Sequence, residues 1–226
     1  MNCKHFSVIS KFIIILFFSL IFFVSCSDTS PHISSLHKTL IYEFHSEDEK
    51  AQIKLSVFIN PSQDIRRSKS IEILHPETNF VWKIDNPQIY EDDKKTYFGY
   101  SALTVPENFD FPEGLFELTY FDVADRSISE NFEINLLKSM LDKEDSFVKL
   151  EDVRLGKAGT ECSHKKIFLF DEIGKELFCG YYSSLINSDE KILKLFPDAV
   201  TKQIYFSNSN NTVVILLPKE TIKINN

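Results

Sequence analysis

The sequence predicts a mainly β protein, a β-sandwich followed by a small α+β domain. Three observations carry this reading. Short runs between about Leu40 and Leu136 alternate apolar and polar residues, the period of a half-buried strand. Clusters of Asn, Pro, Asp, Ser and Gly separate those runs, as turns do. Beyond residue 147 the texture changes to two hairpin signals around one helical stripe.

The chain begins with a segment of another kind. Lys4, His5 and Lys11 make a short basic start, and Phe12 to Val24 run FIIILFFSLIFFV, broken only by Ser19. Those 13 residues would span about 20 Å as a helix. A bilayer core needs roughly 20 residues. A basic start, a short apolar run and small residues before a cut site mark a secretory signal. The run ends in Phe23-Val24-Ser25-Cys26. This resembles the relaxed lipobox of spirochaetal lipoproteins, which tolerates a bulky residue three places before the Cys. The resemblance implies a signal peptide over 1–25, a diacylglyceryl thioether on Cys26, cleavage before it and fatty acylation, palmitate for example, of the new amine. Several acyl chains anchor stably where one binds only marginally. Residues 26–37, polar from Ser27 to His37, suit a tether between lipid and domain.

Loss of residues 1–25 leaves 23 basic against 33 acidic residues, a charge of −10. That balance excludes the basic patch that nucleic acid requires. It also excludes electrostatic attachment to anionic lipid, so the acyl chains would hold the membrane. Of four cysteines, Cys3 is discarded and Cys26 is lipidated. Cys162 and Cys179 remain, in a compartment that permits disulfides. Their loop corresponds to roughly 3 kcal/mol in the chain-entropy model. If Phe170 pairs with Lys175, Cys179 lies opposite Lys166, and a bond requires Glu161-Cys162-Ser163 to fold back over the hairpin. A disulfide and two buried thiols both stay open.

The strands follow in order over a domain placed at 38–136. Ile53, Leu55, Val57 and Ile59 alternate with mostly polar partners, and Asn60-Pro61-Ser62-Gln63-Asp64 ends that strand. Ile71 and Ile73 flank Glu72, and His75-Pro76-Glu77-Thr78 is the next turn. Phe80, Trp82 and Ile84 alternate with Val81, Lys83 and Asp85, and Tyr97 to Val105 is a further strand. Pro112-Glu113-Gly114 then leads into Leu115 to Asp122, and Ile128, Phe132, Ile134 and Leu136 share one face of the last run, with Glu130 as the misfit. This Pro-x-Gly-x-Phe-x-Leu pattern with its polar turn and second strand resembles the last two strands of bacterial immunoglobulin-like and fibronectin-type sandwiches. The alternative is a generic hairpin of another all-β fold. Phe116 lacks the hydroxyl that a tyrosine corner at that position would use.

Leu137, Met140 and Leu141 sit at helical spacing, so a connecting helix is expected over 137–146, followed by a separately folded domain at 147–226. There, Lys166 to Phe170 and Glu176 to Tyr182 flank a turn with Gly174 at a left-handed position. Ser188 is an N-cap with Asp189 and Glu190 in the first turn, and Ile192, Leu195 and Phe196 form an apolar stripe. Gln203 to Phe206 and Val213 to Leu217 flank a second polar turn.

No motif for catalysis or a cofactor stands out. Gly156-Lys157-Ala158-Gly159-Thr160 lacks phosphate-loop spacing. Cys162, His164 and Cys179 fall short of a zinc set by one ligand. Trp82, Tyr90, Tyr97, Phe98 and Tyr100 read as core and edge aromatics rather than as a sugar-stacking face. The expectation is an envelope lipoprotein, on the periplasmic or the surface side, that acts without catalysis, metal or cofactor. It would bind or assemble with a protein or an envelope polymer. The alternative is a hydrolase or small-ligand carrier whose site the sequence does not spell out.

Overall fold

The computed structural model describes residues 30–46, 50–92, 94–137, 153 and 162–223. Cys26, residues 1–25 and most of the expected connecting helix lie outside them. Residues from His32 onward belong to one compact unit. Among the described residues no helix is long and apolar enough to cross a membrane.

The alternating runs become strands as the period requires. β1 (Ile33–Glu43), β2 (Gln52–Pro61), β3 (Ser68–His75) and β4 (Phe80–Ile84) come first. β5 (Gln88–Asp92), β6 (Lys95–Leu103), β7 (Gly114–Asp122) and β8 (Ser127–Ile134) follow. Two sheets form: β1-β2-β6-β5 run side by side in one, β4-β3-β7-β8 in the other. This is the A-B-E-D and C-F-G order of the immunoglobulin sandwich, with β4 added beside β3. Leu55, Val57 and Ile59 of β2 face Ile71, Ile73, Phe116, Leu118 and Tyr120 of the other sheet in a shared core. Phe116 takes the space a corner tyrosine would occupy. Its ring stacks on Phe132 at 5.4 Å and lies 5.9 Å from Trp82. On β7 the hydroxyl comes from Tyr120 instead, bonded to Gln63 and Ser68.

Local chemistry sets the turns. Asp122, fully buried, accepts from the backbone N–H groups of Ala124 and Arg126 and from the Arg126 guanidinium. The guanidinium bonds hold its carboxyl below the usual range. Asp125 then takes the left-handed conformation that a tight turn needs. At Gly99 an added Cβ would lie 2.0 Å from the Val57 carbonyl oxygen and 2.8 Å from the Phe58 ring, so glycine lets that ring lie across the sheet.

The α+β region comprises β9 (His164–Phe170), β10 (Glu176–Tyr181), α1 (Asp189–Leu195), β11 (Thr201–Ser207), β12 (Val213–Leu216) and β13 (Glu220–Thr221). Ser188 caps α1, and Gly174 takes positive φ in the β9–β10 turn, as expected. Ile192 of α1 packs on Ile167, Leu169 and Ile222 in a second core, while Leu195 of the expected stripe is exposed. Asp189 ties the helix down through Lys202 at 2.6 Å and the Lys223 N–H at 2.9 Å.

Three expectations are corrected. The α+β region is not a separate body: β12 pairs in parallel with β1, Leu40 to Val213 through Glu43 to Leu216, and one nine-stranded sheet runs from β5 to β10. The edge that β1 would otherwise expose is thereby covered, which removes an aggregation-prone template. The tether ends sooner than residue 37, because Ile33 to His37 already pair with β2. Of the two alternatives left open for the cysteines, a disulfide or two buried thiols, neither holds: no bond joins Cys162 and Cys179, and Cys162 is buried while Cys179 is exposed. The Cys162 thiol lies 3.9 Å from the Val213 carbonyl oxygen on β12, whereas Cys179 sits on β10, three strands away. Three strand spacings are about 14 Å, twice the reach of about 7 Å between bridged Cα atoms. Phe170 pairs with Glu176 rather than Lys175, and a bulge follows in β10, so Cys179 lies opposite Phe168 rather than Lys166.

Candidate functional site

The run Ile167-Phe168-Leu169-Phe170 is apolar on both faces of its strand. Ile167 and Leu169 enter the second core. Alternation therefore sends Lys166, Phe168 and Phe170 to the opposite face of the nine-stranded sheet. The register brings Cys179 and Gln203 beside Phe168, and Tyr181 and Tyr205 beside Lys166. Leu216 of β12 lies next to Tyr205, and Val214 next to Ile41 of β1, so the face continues across the strand junction.

The rings form a contiguous set. Phe168 stacks on Tyr205 at 4.6 Å and 21°, and on Phe170 at 5.9 Å and 27°. The Lys166 ammonium lies 5.3 Å from the Tyr181 ring centre and 5.7 Å from that of Tyr205. Lys219 stands 4.4 Å over Phe170. Contacts of this kind contribute about 0.5–1 kcal/mol each at exposed positions and keep the lysines over the rings. Phe168, Phe170, Tyr181 and Tyr205 belong to neither apolar core. Exposure is graded, from Tyr205 at 8% to Tyr181 at 64%. The Tyr205 hydroxyl meets the Cys179 sulfur at 3.3 Å, and burial pushes its ionisation well above the usual tyrosine range. Three rings, Tyr181, Tyr205 and Phe170, held beside two lysines in an acidic protein suit a partner with apolar or ring-bearing groups and some negative charge.

A second feature is a cleft of about 450 Å³ at the side of the sandwich, where β4 and β6 come together. Trp82, Ile84, Tyr100 and Leu103 line its floor, and Lys83, Asp85, Asn86 and Ala102 its rim. The Trp82 indole N–H donates to the Thr104 carbonyl at 2.7 Å and so links the two sheets.

The residues weighed from sequence are dispersed. Cys162, His164 and Cys179 do not converge: the His164 ring lies edge-on to Tyr181 at 6.1 Å, the Cys162 thiol lies beside Val213 of β12 just before β9 begins, and Cys179 is on β10 beside Tyr205. Among the described residues no three His, Cys, Asp or Glu side chains converge. His75, 2% exposed, uses both ring nitrogens, donating from Nε2 to the Glu113 carbonyl at 3.0 Å and accepting from the Thr78 hydroxyl at 2.9 Å. Of the weighed aromatics, Trp82 and Phe98 enter the core, Tyr100 lines the cleft, and Tyr90 and Tyr97 meet on the outer face at 6.3 Å. The aromatic set on β9, β10 and β11 was missed in sequence. Its signal was present: a strand apolar on both faces, one of which meets no helix among the described residues.

Comparison with protein-family models, with curated proteins and with solved structures finds no match.

Proposed function

We propose that this chain is a lipid-anchored protein of the cell envelope that binds or assembles with another envelope component, without catalysis. The observation that carries the binding role is the aromatic face of Phe168, Phe170, Tyr181 and Tyr205, outside both cores and capped by Lys166 and Lys219. Sheet faces directed to water normally carry polar residues. Tyr181 is exposed, Phe168 and Phe170 are half-buried beside it and Tyr205 is buried beneath them, and a partly exposed aromatic cluster of this kind marks an interaction surface. Anchoring rests on the Phe23-Val24-Ser25-Cys26 motif and its apolar run. The domain begins at Ile33, which leaves a short leash after Cys26 and favours a partner close to the membrane.

Metabolic labelling with radioactive palmitate tests the anchor. The wild type incorporates label and partitions into detergent, whereas Cys26→Ala accumulates as unlabelled precursor. An unlabelled wild type removes the lipoprotein reading.

A further inference from the structure

We propose that the cleft between β4 and β6 receives an extended peptide segment of a partner protein, which adds as a strand along Tyr100–Leu103. β5 pairs with β6 only from Gln88 opposite Gly99 to Asp92 opposite Lys95. β6 continues to Leu103, held on its other side by β2 at Tyr100 and Leu103, with a bulge between them that turns both side chains to the same face. Among the described residues the side toward β5 therefore has no strand along Tyr100–Leu103, and β4 is the edge of its own sheet, paired with β3 alone. Two unpaired strand edges thus border one cleft.

An unpaired strand edge presents N–H and C=O groups in alternation at a fixed spacing, and the ligand that satisfies such a row is another extended chain. Four residues of edge span about 13 Å, enough for a guest of four to six residues. Alternate guest side chains would point at Trp82, Tyr100 and Leu103, so apolar residues at every second position fit the floor. Lys83, Asp85 and Asn86 at the rim suit polar residues between them.

Other occupants fit less well. A saccharide wants an open aromatic platform, yet Trp82 is 8% exposed, with Phe116 nearly parallel at 25° and Phe80 edge-on at 4.7 Å. A second copy of the domain is too thick for an edge recessed between two sheets. The proposal does not rest on the aromatic face of β9 to β11.

Full-length protein in detergent is screened against phage displaying random linear 12-residue peptides, and the best peptide is synthesised. Trp82 is the one tryptophan of the chain, so its fluorescence reports on the cleft alone. The expected result is a saturable shift in Trp82 emission and about tenfold slower amide exchange within residues 100–104. N-methylation of the peptide at every second residue abolishes binding in one register and spares it in the other. Ala102→Arg, at an exposed rim position, keeps the melting temperature and loses the peptide, while Tyr181→Asp keeps both. The proposal is overturned if no peptide is selected, if the selected peptide leaves Trp82 emission and exchange at 100–104 unchanged, or if both N-methylated registers bind alike. Emission shifts caused by soluble peptidoglycan fragments without amide protection would also overturn it, in favour of a saccharide.

Discussion

Tyr42 shows how one hydroxyl ties chain segments together. It is fully buried in β1, and its oxygen accepts the Leu137 N–H at 2.8 Å, where the chain leaves β8. Burial pushes its ionisation up to about 12. An unfolded tyrosine loses its proton near pH 10. Between those values the unfolded chain binds fewer protons than the folded one, so stability falls as pH rises from about 10 to about 12. In Tyr42→Phe that part of the alkaline slope disappears, leaving the contribution of Tyr205. The variant is also less stable at neutral pH by about 1–3 kcal/mol, because the Leu137 N–H stays buried without its acceptor. Urea unfolding at pH 7 and pH 11 measures both. Nothing in the sequence marked Tyr42, since the bond depends on where a residue 95 positions away comes to lie. Ser188 and Gly174 were legible, because a cap and a left-handed turn residue act on their own neighbours.

At the scale of elements, β2, β4, β7 and β8 follow from period-2 alternation, and each buries the face that the alternation marks. β1 was read late because Ser34, Ser35 and His37 mask its first half. A bulge between Ile33 and Ser35 shifts its register there, so strict alternation fails. Phe116 gives the energetic test of the sandwich. It contacts His75, Trp82 and Phe132 with no exposed surface. Phe116→Ala removes a large buried ring and leaves a cavity, at a cost of about 3–5 kcal/mol in urea unfolding. A cost below about 1 kcal/mol would mean that the two sheets do not meet there.

At the scale of the whole molecule, the parallel β1–β12 pair decides the architecture. Its partners are more than 170 residues apart, and no local pattern announces such a pairing. A change of texture near residue 147 therefore reads as a domain boundary in sequence, although the sheet runs across it. One consequence is cooperative unfolding. Trp82 reports on the sandwich, and Cys162, 4% exposed, reports on the junction beside β12. Emission loss and Cys162 labelling are expected to share one urea midpoint, where independent domains would give two. Fully denatured, unreduced mature protein is expected to titrate two thiols, Cys162 and Cys179.

The aromatic face also belongs to this scale, because three strands and the β1 junction assemble it. Binding of unlipidated protein to isolated cell-envelope fragments tests the account most directly. The chain expressed from Ser27 onward, and so never lipidated, is titrated onto fragments of the source envelope and co-sedimented. Saturable binding is expected that weakens at least about tenfold in Tyr181→Asp and Lys166→Glu, a loss of about 1.4 kcal/mol, with unchanged melting temperatures. Binding that does not saturate, or that is equal in wild type and both variants, would contradict it.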